Sequence, residues 1–296
     1  MTSSKVALVT GANQGIGYAL VEELARRWRE EDVVLLTGRD PSRVREAAAR
    51  VGGRARVEGR RLDVTDAGAI AKLADELGER HGGVDVVISN AGARITPDRP
   101  QEEQIDEFVA VANGGAHAML RSFGPVLRAG GRLIVVASSL GTLGHLDERV
   151  HPLFDDLSLE GVEALTESWR TAVHQGTAQQ RGWPQWINIP SKVLQVAAVR
   201  AVARERRDAD LRDGTLVAAV CPGLVDTEAS RPWFSDFSRA WTPAQAAERL
   251  LDFVLAEPVD PAMYGELVRT GTVLPWRGRP YVPAHRGNGS EDRLGE

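Results

Sequence analysis

A glycine-rich turn near the start of the chain has the residue types and the position of a phosphate-binding loop. It reads Thr10-Gly11-Ala12-Asn13-Gln14-Gly15-Ile16-Gly17, after the apolar run VALVT and before a segment of helical period. Glycines let the backbone approach a pyrophosphate closely, and a helix N-terminus offers free N–H groups to it. The turn therefore predicts a dinucleotide site; the alternative is a tight strand-to-helix turn without a ligand.

The end of the second apolar run indicates which dinucleotide is bound. Leu36-Thr37-Gly38-Arg39-Asp40 places a guanidinium where an NAD-specific protein has a carboxylate for the ribose hydroxyls. Arg39 therefore predicts NADP(H), with Arg43 and Asn13 as further contacts to the 2′-phosphate, because arginine makes charge-assisted bonds to phosphate. The alternative is an exposed ion pair between Arg39 and Asp40.

The glycine spacing resembles the short-chain dehydrogenase/reductase family, and three later segments extend the resemblance over nearly the whole chain. They are Asp63-Val64, Ser89-Asn90-Ala91-Gly92 and the stretch from Pro222 to Thr227. The resemblance implies an adenine contact, a signature after the fourth strand, and a segment that closes over the nicotinamide. The cofactor-binding residues so predicted are Gly11, Asn13, Gln14, Gly15, Ile16, Gly17, Arg39, Arg43, Asp63, Val64, Asn90, Ala91, Gly92, Lys192, Pro222, Gly223, Val225 and Thr227.

The same resemblance implies a catalytic relay of Asn, Ser, Tyr and Lys, of which this chain has three members. Asn113 matches the residue that holds a relay water, and Ser139 matches the serine that orients the substrate oxygen, with Ser138 as the weaker candidate. Lys192 matches the lysine that binds the nicotinamide ribose. The segment GWPQWINIPSK resembles that of the monomeric carbonyl reductases, and it places Asn188 where the family has its tyrosine.

Losing this tyrosine removes the family's general acid. An amide has no proton to give near neutral pH, and a positioned acid contributes about 10²- to 10⁴-fold in rate. The three tyrosines of the chain, Tyr18, Tyr264 and Tyr281, lie in distant parts of the sequence. Two interpretations of Asn188 stay open: it orients a ligand in the pocket, or it is an N-cap before Pro190 in the first turn of a helix.

Other chemically capable side chains have both a functional and a packing interpretation. His117 follows Asn113 by one helical turn, while His145, His151 and His174 lie where loops could cover a substrate. Trp169, Trp183 and Trp186 either line an apolar pocket or pack helices. The segment from Arg231 to Trp241 is predicted as a lid over the cofactor or as a surface helix. No metal-ligand spacing occurs, so we predict no metal.

Three functions are compatible with these residues. The first is NADPH-dependent reduction of a ketone or enone, with a water held by Lys192, Ser139 and Asn113 replacing the phenol, or Lys192 itself as donor. The second is a non-redox cyclase, isomerase or dehydratase of natural-product metabolism, in which NADP(H) shapes the pocket. The third is a cofactor-sensing protein without turnover. A hydrophobic ketone or a polycyclic intermediate is the expected substrate.

The pattern of apolar runs predicts the scaffold that positions these residues. β-Branched runs alternate with helical segments, which is typical of an α/β Rossmann-like three-layer sandwich with about seven parallel strands. One helix is expected from about Gln104 to Leu127. We predict a single domain over residues 1–284, with a helical insertion at about 146–184 before the Lys192 helix, and a mobile tail at 285–296. The insertion resembles one that covers oligomer contacts, which implies a monomer.

Composition narrows the partners and the location. The 296 residues carry a net charge of −5, which predicts no nucleic-acid partner. No long apolar run or signal sequence is evident, so we expect no membrane partner. The single Cys221 fits a reducing compartment, and we predict a cytoplasmic protein.

Overall fold

The predicted apolar runs form the strands of one sheet. The computed structural model describes residues 4–278. The strands are β1 Val6–Val9, β2 Val33–Gly38, β3 Arg56–Arg61, β4 Val84–Ser89, β5 Leu127–Val136, β6 Leu216–Val220, β7 Leu267–Arg269 and β8 Thr272–Leu274. Seven are parallel, as predicted, in the order β3-β2-β1-β4-β5-β6-β7. β8, a three-residue strand that pairs antiparallel with β7, was not predicted from the sequence.

Helices cover the sheet in layers. They are α1 Gly15–Arg27, α2 Pro41–Arg50, α3 Ala67–His81, α4 Gln101–Val109, α5 Gly115–Phe123, α6 Leu159–His174, α7 Asn188–Arg212 and α8 Pro243–Val254. α1 packs with α8, and α5 packs with α3 and α7. These contacts give the three-layer α/β sandwich that the sequence predicted. Within the described residues, no helix has both the length and the apolar character to cross a bilayer.

The strand order reverses between β1 and β4, and this reversal positions the site. β1 pairs with β2 on one side and with β4 on the other, so the chain leaves the two central strands in opposite directions. A crevice opens at the carboxyl ends of such a pair, where α/β sheets bind ligands. The glycine turn follows β1, and Asn90 follows β4.

The helix predicted from Gln104 to Leu127 is wrong as a single helix. It is divided into α4, a π-helix over Ala110–Gly114, and α5, which ends at Phe123. Pro125 lacks the N–H of a continuing helix, and Leu127 already begins β5. The π-helical turn contains Asn113, and such widened turns recur at functional sites.

The insertion before α7 is helical, as expected. It holds α6, whose first turn is capped by the Ser158 hydroxyl accepting from the Gly161 amide at 3.2 Å. α6 packs against α4 and α7, and its Trp169 lies 6.2 Å from the ring of Trp183. The expected end of the domain at 284 and the tail at 285–296 lie outside the described residues.

Candidate active site

The glycine turn fits tightly between the ends of β1 and β4. Gly11 has φ of +60°, and a Cβ added there would lie 2.8 Å from the Cα of Ala91. A Cβ on Gly17 would lie 2.5 Å from the side-chain nitrogen of Asn90. α1 begins at Gly15 without a side-chain cap, so its first N–H groups point to the crevice unclaimed by a capping side chain. The turn has the shape and the donors that a pyrophosphate requires.

Asn90 links the two strands whose divergence makes the crevice. Its side-chain nitrogen donates to the Thr10 carbonyl at 3.0 Å. The backbone amides of Asn90 and Ala91 donate to the Thr10 hydroxyl at 2.9 and 3.0 Å. Asn90 and Ala91 of the signature after β4 therefore fix the position of Thr10 at the start of the phosphate turn. Gly92 is exposed, with open space where a Cβ would be.

Arg39 lies exposed at the end of β2, with 73% of its side chain accessible. Its nearest carboxylate is that of Glu107, at 3.5 Å. The alternative pairing with Asp40 is wrong, because Asp40 caps α2 by accepting from the amides of Ser42 and Arg43 at 2.8 and 3.1 Å. The guanidinium is therefore available to a phosphate, which has only the weak surface pair with Glu107 to replace.

The residues around Arg39 complete this end of the crevice. Arg43 donates to the Gln14 side-chain oxygen at 2.6 Å, which joins α2 to the glycine turn. The Asn13 side-chain oxygen would lie 3.1 Å from a Cβ on Gly38, so Asn13 packs beside the end of β2.

Asp63 and Val64 follow β3 and have different environments. Asp63 accepts from the Thr65 amide at 3.0 Å and the Thr65 hydroxyl at 2.8 Å. These bonds, with the charge of Arg39, lower the pKa of Asp63 and keep it ionised. Val64 is buried against Gly115 at the start of α5.

The segment after β6 runs back toward the glycine turn. Pro222 leads to Gly223, which has φ of +82°, and a Cβ added there would lie 3.5 Å from the Trp241 ring. Val225 pairs with Trp241, and the Thr227 methyl lies 3.9 Å from where a Gly15 Cβ would be. The predicted nicotinamide segment therefore lies next to the predicted phosphate turn.

Asn113 lies in the π-helix, fully buried, and both ends of its amide are used. Its nitrogen donates to the Ser191 carbonyl at 3.0 Å, and its oxygen accepts from the Ser191 hydroxyl at 2.7 Å. This reciprocal pair ties the π-helix to α7 beside Lys192. The Asn113 side chain therefore holds the π-helix against α7.

Ser139 comes three residues after the end of β5 and is partly buried. Ser138 beside it accepts from the Leu140 amide at 3.3 Å, so its hydroxyl is engaged in the local turn. The loop that follows is fixed by His151, whose Nε2 lies 2.8 Å from the Leu143 carbonyl oxygen. Ser139 is therefore the serine of this pair that is free of a local turn bond.

Lys192 lies in the first turns of α7 and is held by two acceptors. Its Nζ donates to the Gln195 side-chain oxygen at 2.8 Å and lies 3.5 Å from the Val136 carbonyl oxygen. Burial lowers the pKa of Lys192 to about 8, because a desolvated ammonium is disfavoured. Gln195 was not predicted as a site residue, although its spacing of three residues from Lys192 on one helix was an available signal.

Asn188 is the first residue of α7, one turn before Lys192. The N-cap position belongs to Ile187, and no side chain caps the helix. The Ile187 amide instead donates to the Gln101 side-chain oxygen at 2.6 Å. The N-cap interpretation of Asn188 is therefore wrong, because Asn188 already lies in the first turn of α7 and the Ser191 amide donates to the Ile187 carbonyl at 3.3 Å.

Neither described tyrosine lies where it could replace the missing phenol. Tyr264 donates to the Asp210 carboxylate at 2.6 Å, and Asp210 is eighteen residues beyond Lys192 on α7, or about 27 Å along the axis. Tyr18 lies on α1 with the Arg50 guanidinium over its ring. Tyr281 is outside the described residues.

Two aromatic side chains form one wall near the crevice. The rings of Trp186 and Trp233 lie 5.3 Å apart, and the Trp233 N–H donates to the Ile95 carbonyl at 3.1 Å. Trp233 belongs to the segment 231–241, which forms turns; the surface-helix interpretation is wrong. Ile95 follows the β4 signature, so this wall connects the two loops that border the crevice.

The remaining candidate side chains are buried, paired or packed within the fold. His117 is buried on α5, where burial lowers its pKa to about 4. His174 pairs with Asp106 at 2.8 Å on the exposed side of α6, and the Thr142 hydroxyl lies 3.1 Å from His145. Trp169 and Trp183 pack the insertion. Residues 4–278 contain no group of side chains arranged to hold a metal.

Known protein sequences resemble this chain over most of its length. The short chain dehydrogenase family matches residues 5–149. Carbonyl reductase (NADPH) 1 of Rattus norvegicus is 28% identical over 92% of this chain and 98% of its own length. Carbonyl reductase (NADPH) 3 of Mus musculus is 29% identical over 92% and 99% of the two chains.

Solved structures share the fold. Salutaridine reductase from Papaver somniferum superposes with a TM-score of 0.74 at 22% identity, covering 89% of this chain and 99% of that one. Menthone neomenthol reductase from Mentha piperita gives 0.71 at 21% identity, covering 92% and 100%. At these identities the likeness concerns the fold.

Proposed function

We propose that this chain, whose residues 5–149 match the short chain dehydrogenase family, is an NADPH-dependent reductase of a ketone or enone in which Lys192 replaces the family's tyrosine as proton donor. The proposal depends on the hydrogen bonding and the lowered pKa of Lys192. Its Nζ is bonded to Gln195, and burial brings its pKa to about 8. A general acid works best with a pKa near the operating pH.

The residues present fit NADP(H). Gly11 and Gly17 let the turn pack against the end of β4 where a Cβ would collide, and the start of α1 has no side-chain cap. Gly11, Gly15, Ile16 and Gly17 would hold the pyrophosphate, Arg39 and Arg43 the 2′-phosphate, and Thr227 the nicotinamide end. The names of the carbonyl reductase relatives include NADPH, which supports this choice.

Proton transfer falls to groups of this chain. NADPH supplies a hydride to the carbonyl carbon when it is bound. The Ser139 hydroxyl donates a hydrogen bond that orients the substrate oxygen. The Lys192 ammonium gives one proton to that oxygen, is left as a neutral amine, and regains a proton from solvent. Near neutral pH, Asn188 can only donate or accept a hydrogen bond, so it orients the ligand.

The aromatic wall favours an apolar substrate. Trp186 and Trp233 present two rings beside the loops that border the crevice. Aromatic surface favours flat or cyclic apolar ligands, with a few polar groups fixing orientation. Menthone and salutaridine, which appear in the names of two structural neighbours, are suitable chemical probes of a cyclic ketone and a polycyclic ketone.

We also propose that the chain acts as a monomer. α6 of the insertion packs against α4 and α7, and it covers part of both helices. Arg121 on α5 bonds with Glu160 and Glu163 of α6 at 2.7 and 2.8 Å, which holds α6 in place across this surface.

One observation favours a second function, a non-redox cyclase, isomerase or dehydratase. Position 188 carries an amide, which polarises an oxygen without transferring a proton. In that case NADP(H) would remain bound and unchanged while it shapes the pocket.

Isotope transfer separates the two functions. The purified chain is incubated with menthone or another cyclic ketone and NADPH deuterated at C4, using each diastereomer in turn. The reductase predicts one deuterium on the carbinol carbon from one diastereomer, and Lys192→Met loses at least tenfold in rate. Lys72→Met, which changes an exposed lysine on α3, is the matched control with an unchanged rate. Product without deuterium and unchanged NADPH would overturn the reductase in favour of the second function.

A further inference from the structure

Gln195 is a buried amide in an otherwise apolar part of α7. Only 3% of its surface is exposed, and its neighbours Leu194 and Val196 are buried too. Burying an amide without partners is costly, so its retention in a core helix requires satisfied bonds. The catalytic machinery of the proposed function does not include it.

Both ends of the Gln195 amide are engaged. Its nitrogen donates to the Ala112 carbonyl at 2.6 Å, and its oxygen accepts from Lys192 Nζ at 2.8 Å. Because a carbonyl can only accept, the bond to Ala112 fixes which way the amide faces. The amide oxygen is therefore held toward Lys192, and it accepts from lysine in both protonation states.

This contact is one half of a clamp around Lys192. Ala112 and Asn113 are adjacent residues of the π-helix, and Asn113 bonds Ser191 in both directions. The π-helix thus grips α7 at Ser191 and at Gln195, on either side of Lys192 in sequence. A lysine side chain has four rotatable bonds and loses about 2 kcal/mol of rotamer freedom when fixed. The clamp restricts the Lys192 side chain already in the free protein.

We propose that Gln195 is a positioning residue that holds Lys192 Nζ in the orientation from which it delivers the proton. The inference rests on the proposed function for its catalytic consequence, but the hydrogen bond itself acts on Lys192 in the free protein. Gln195 does not touch the substrate. It acts through Lys192, and it transmits the position of the π-helix to that side chain.

The direct test is the pH dependence of lysine acetylation in the free protein. The chain has three lysines, Lys5, Lys72 and Lys192, so trace acetic anhydride and peptide mass spectrometry follow each one separately. Gln195→Met removes an acceptor that favours the charged form, and the Lys192 midpoint moves to lower pH. Gln195→Glu adds a negative charge, and the midpoint moves to higher pH. The midpoint of the exposed Lys72 stays fixed in both variants.

A matched variant controls for the loss of a buried amide. Gln104 is also buried, and its amide accepts from the Thr96 amide at 2.9 Å and donates to the Thr96 carbonyl at 3.0 Å. Gln104→Met therefore loses comparable bonds without touching Lys192, and we expect its Lys192 midpoint to match wild type. Circular dichroism and NADPH titration identify the variants that remain folded.

Catalysis adds a second readout. In Gln195→Met we expect kcat for a cyclic ketone to fall about 10- to 100-fold, while the Kd for NADPH stays within about threefold. The high-pH limb of kcat moves in the same direction as the acetylation midpoint. Lys192 midpoints that stay fixed in both Gln195 variants, or that move in the same direction, overturn the inference. Failure of deuterium transfer overturns the proposed function instead and leaves the acetylation result readable.

Discussion

Asn113 and Ser191 exchange two hydrogen bonds, at 3.0 and 2.7 Å, although 78 residues separate them in the chain. The pair joins the π-helix to α7 at the residue before Lys192. Because Asn113 and Ser191 are both fully buried, no water replaces a lost partner without rearrangement. The position of the lysine therefore depends on a polar contact inside the core.

Breaking this pair should cost stability. Ser191→Ala leaves the Asn113 oxygen without its hydroxyl partner, and we expect about 1–3 kcal/mol less free energy of unfolding. Asn113→Ala should cost a similar amount, and the double variant less than the sum. Urea unfolding measures all three. Strictly additive losses would show that the two side chains do not interact.

The glycine turn should tolerate substitution differently at two positions. Gly15→Ala meets only the Thr227 methyl, at 3.9 Å, but it places a side chain where phosphate binds, at φ of +59°. We expect a loss of about 1 kcal/mol in stability and at least a tenfold higher Kd for NADPH. Gly17→Ala meets Asn90 and the Gly11 carbonyl at 2.5 Å, and it should lose both folding and binding. Gly52→Ala, with no atom within 4 Å, is the control for titration and unfolding.

Arg39 should set the preference for the phosphorylated cofactor. Arg39→Ala removes a charge-assisted contact of about 1.5–3 kcal/mol, so the Kd for NADPH should rise about 10- to 100-fold. The Kd for NADH should barely change, as fluorescence titration of both cofactors will measure. Glu107→Gln releases the surface pair with Arg39 and should tighten NADPH binding up to about fivefold. Equal effects of Arg39→Ala on both cofactors would contradict a 2′-phosphate contact.

His117 should make stability depend on pH. Its pKa is about 4 in the folded protein, below the value of about 6.5 for an unfolded chain, so only the unfolded chain takes up a proton between these values. Its contribution to stability is complete above pH 6.5 and is lost as pH falls toward 4. At pH 5 the loss amounts to about 2 kcal/mol. Urea unfolding of His117→Leu should lack this part of the decline between pH 7.5 and 5, and exposed His174→Leu should retain it.

The sequence predicted best what depends on neighbouring residues. The turn from Thr10 to Gly17 needs glycines at fixed spacing between a strand and a helix, so the local pattern suffices to predict it. Seven parallel strands followed in the same way from continuous apolar runs. The short β8 escaped because three residues carry too little pattern to separate a strand from a loop.

Contacts made by folding could not be predicted from the sequence. Gln195 reaches Ala112 across 83 residues, and the π-helical turn that offers this carbonyl lies in a sequence that fits an ordinary helix. The N-cap interpretation of Asn188 failed for a different reason, because α7 begins one residue earlier than the Asn-Ile-Pro pattern indicates, with Ile187 at the N-cap. A local pattern does not decide a helix end to within one residue.

We propose that Lys192 suffices as proton donor without the tyrosine, and Asn188→Tyr restores the missing phenol for comparison. NADPH oxidation is followed with menthone and a panel of cyclic ketones for wild type, Asn188→Tyr and Lys192→Met. We predict that wild type turns over faster than Lys192→Met, and that the added phenol raises kcat/KM by about 10- to 100-fold. Turnover by Asn188→Tyr alone, with wild type no faster than Lys192→Met, would contradict the claim.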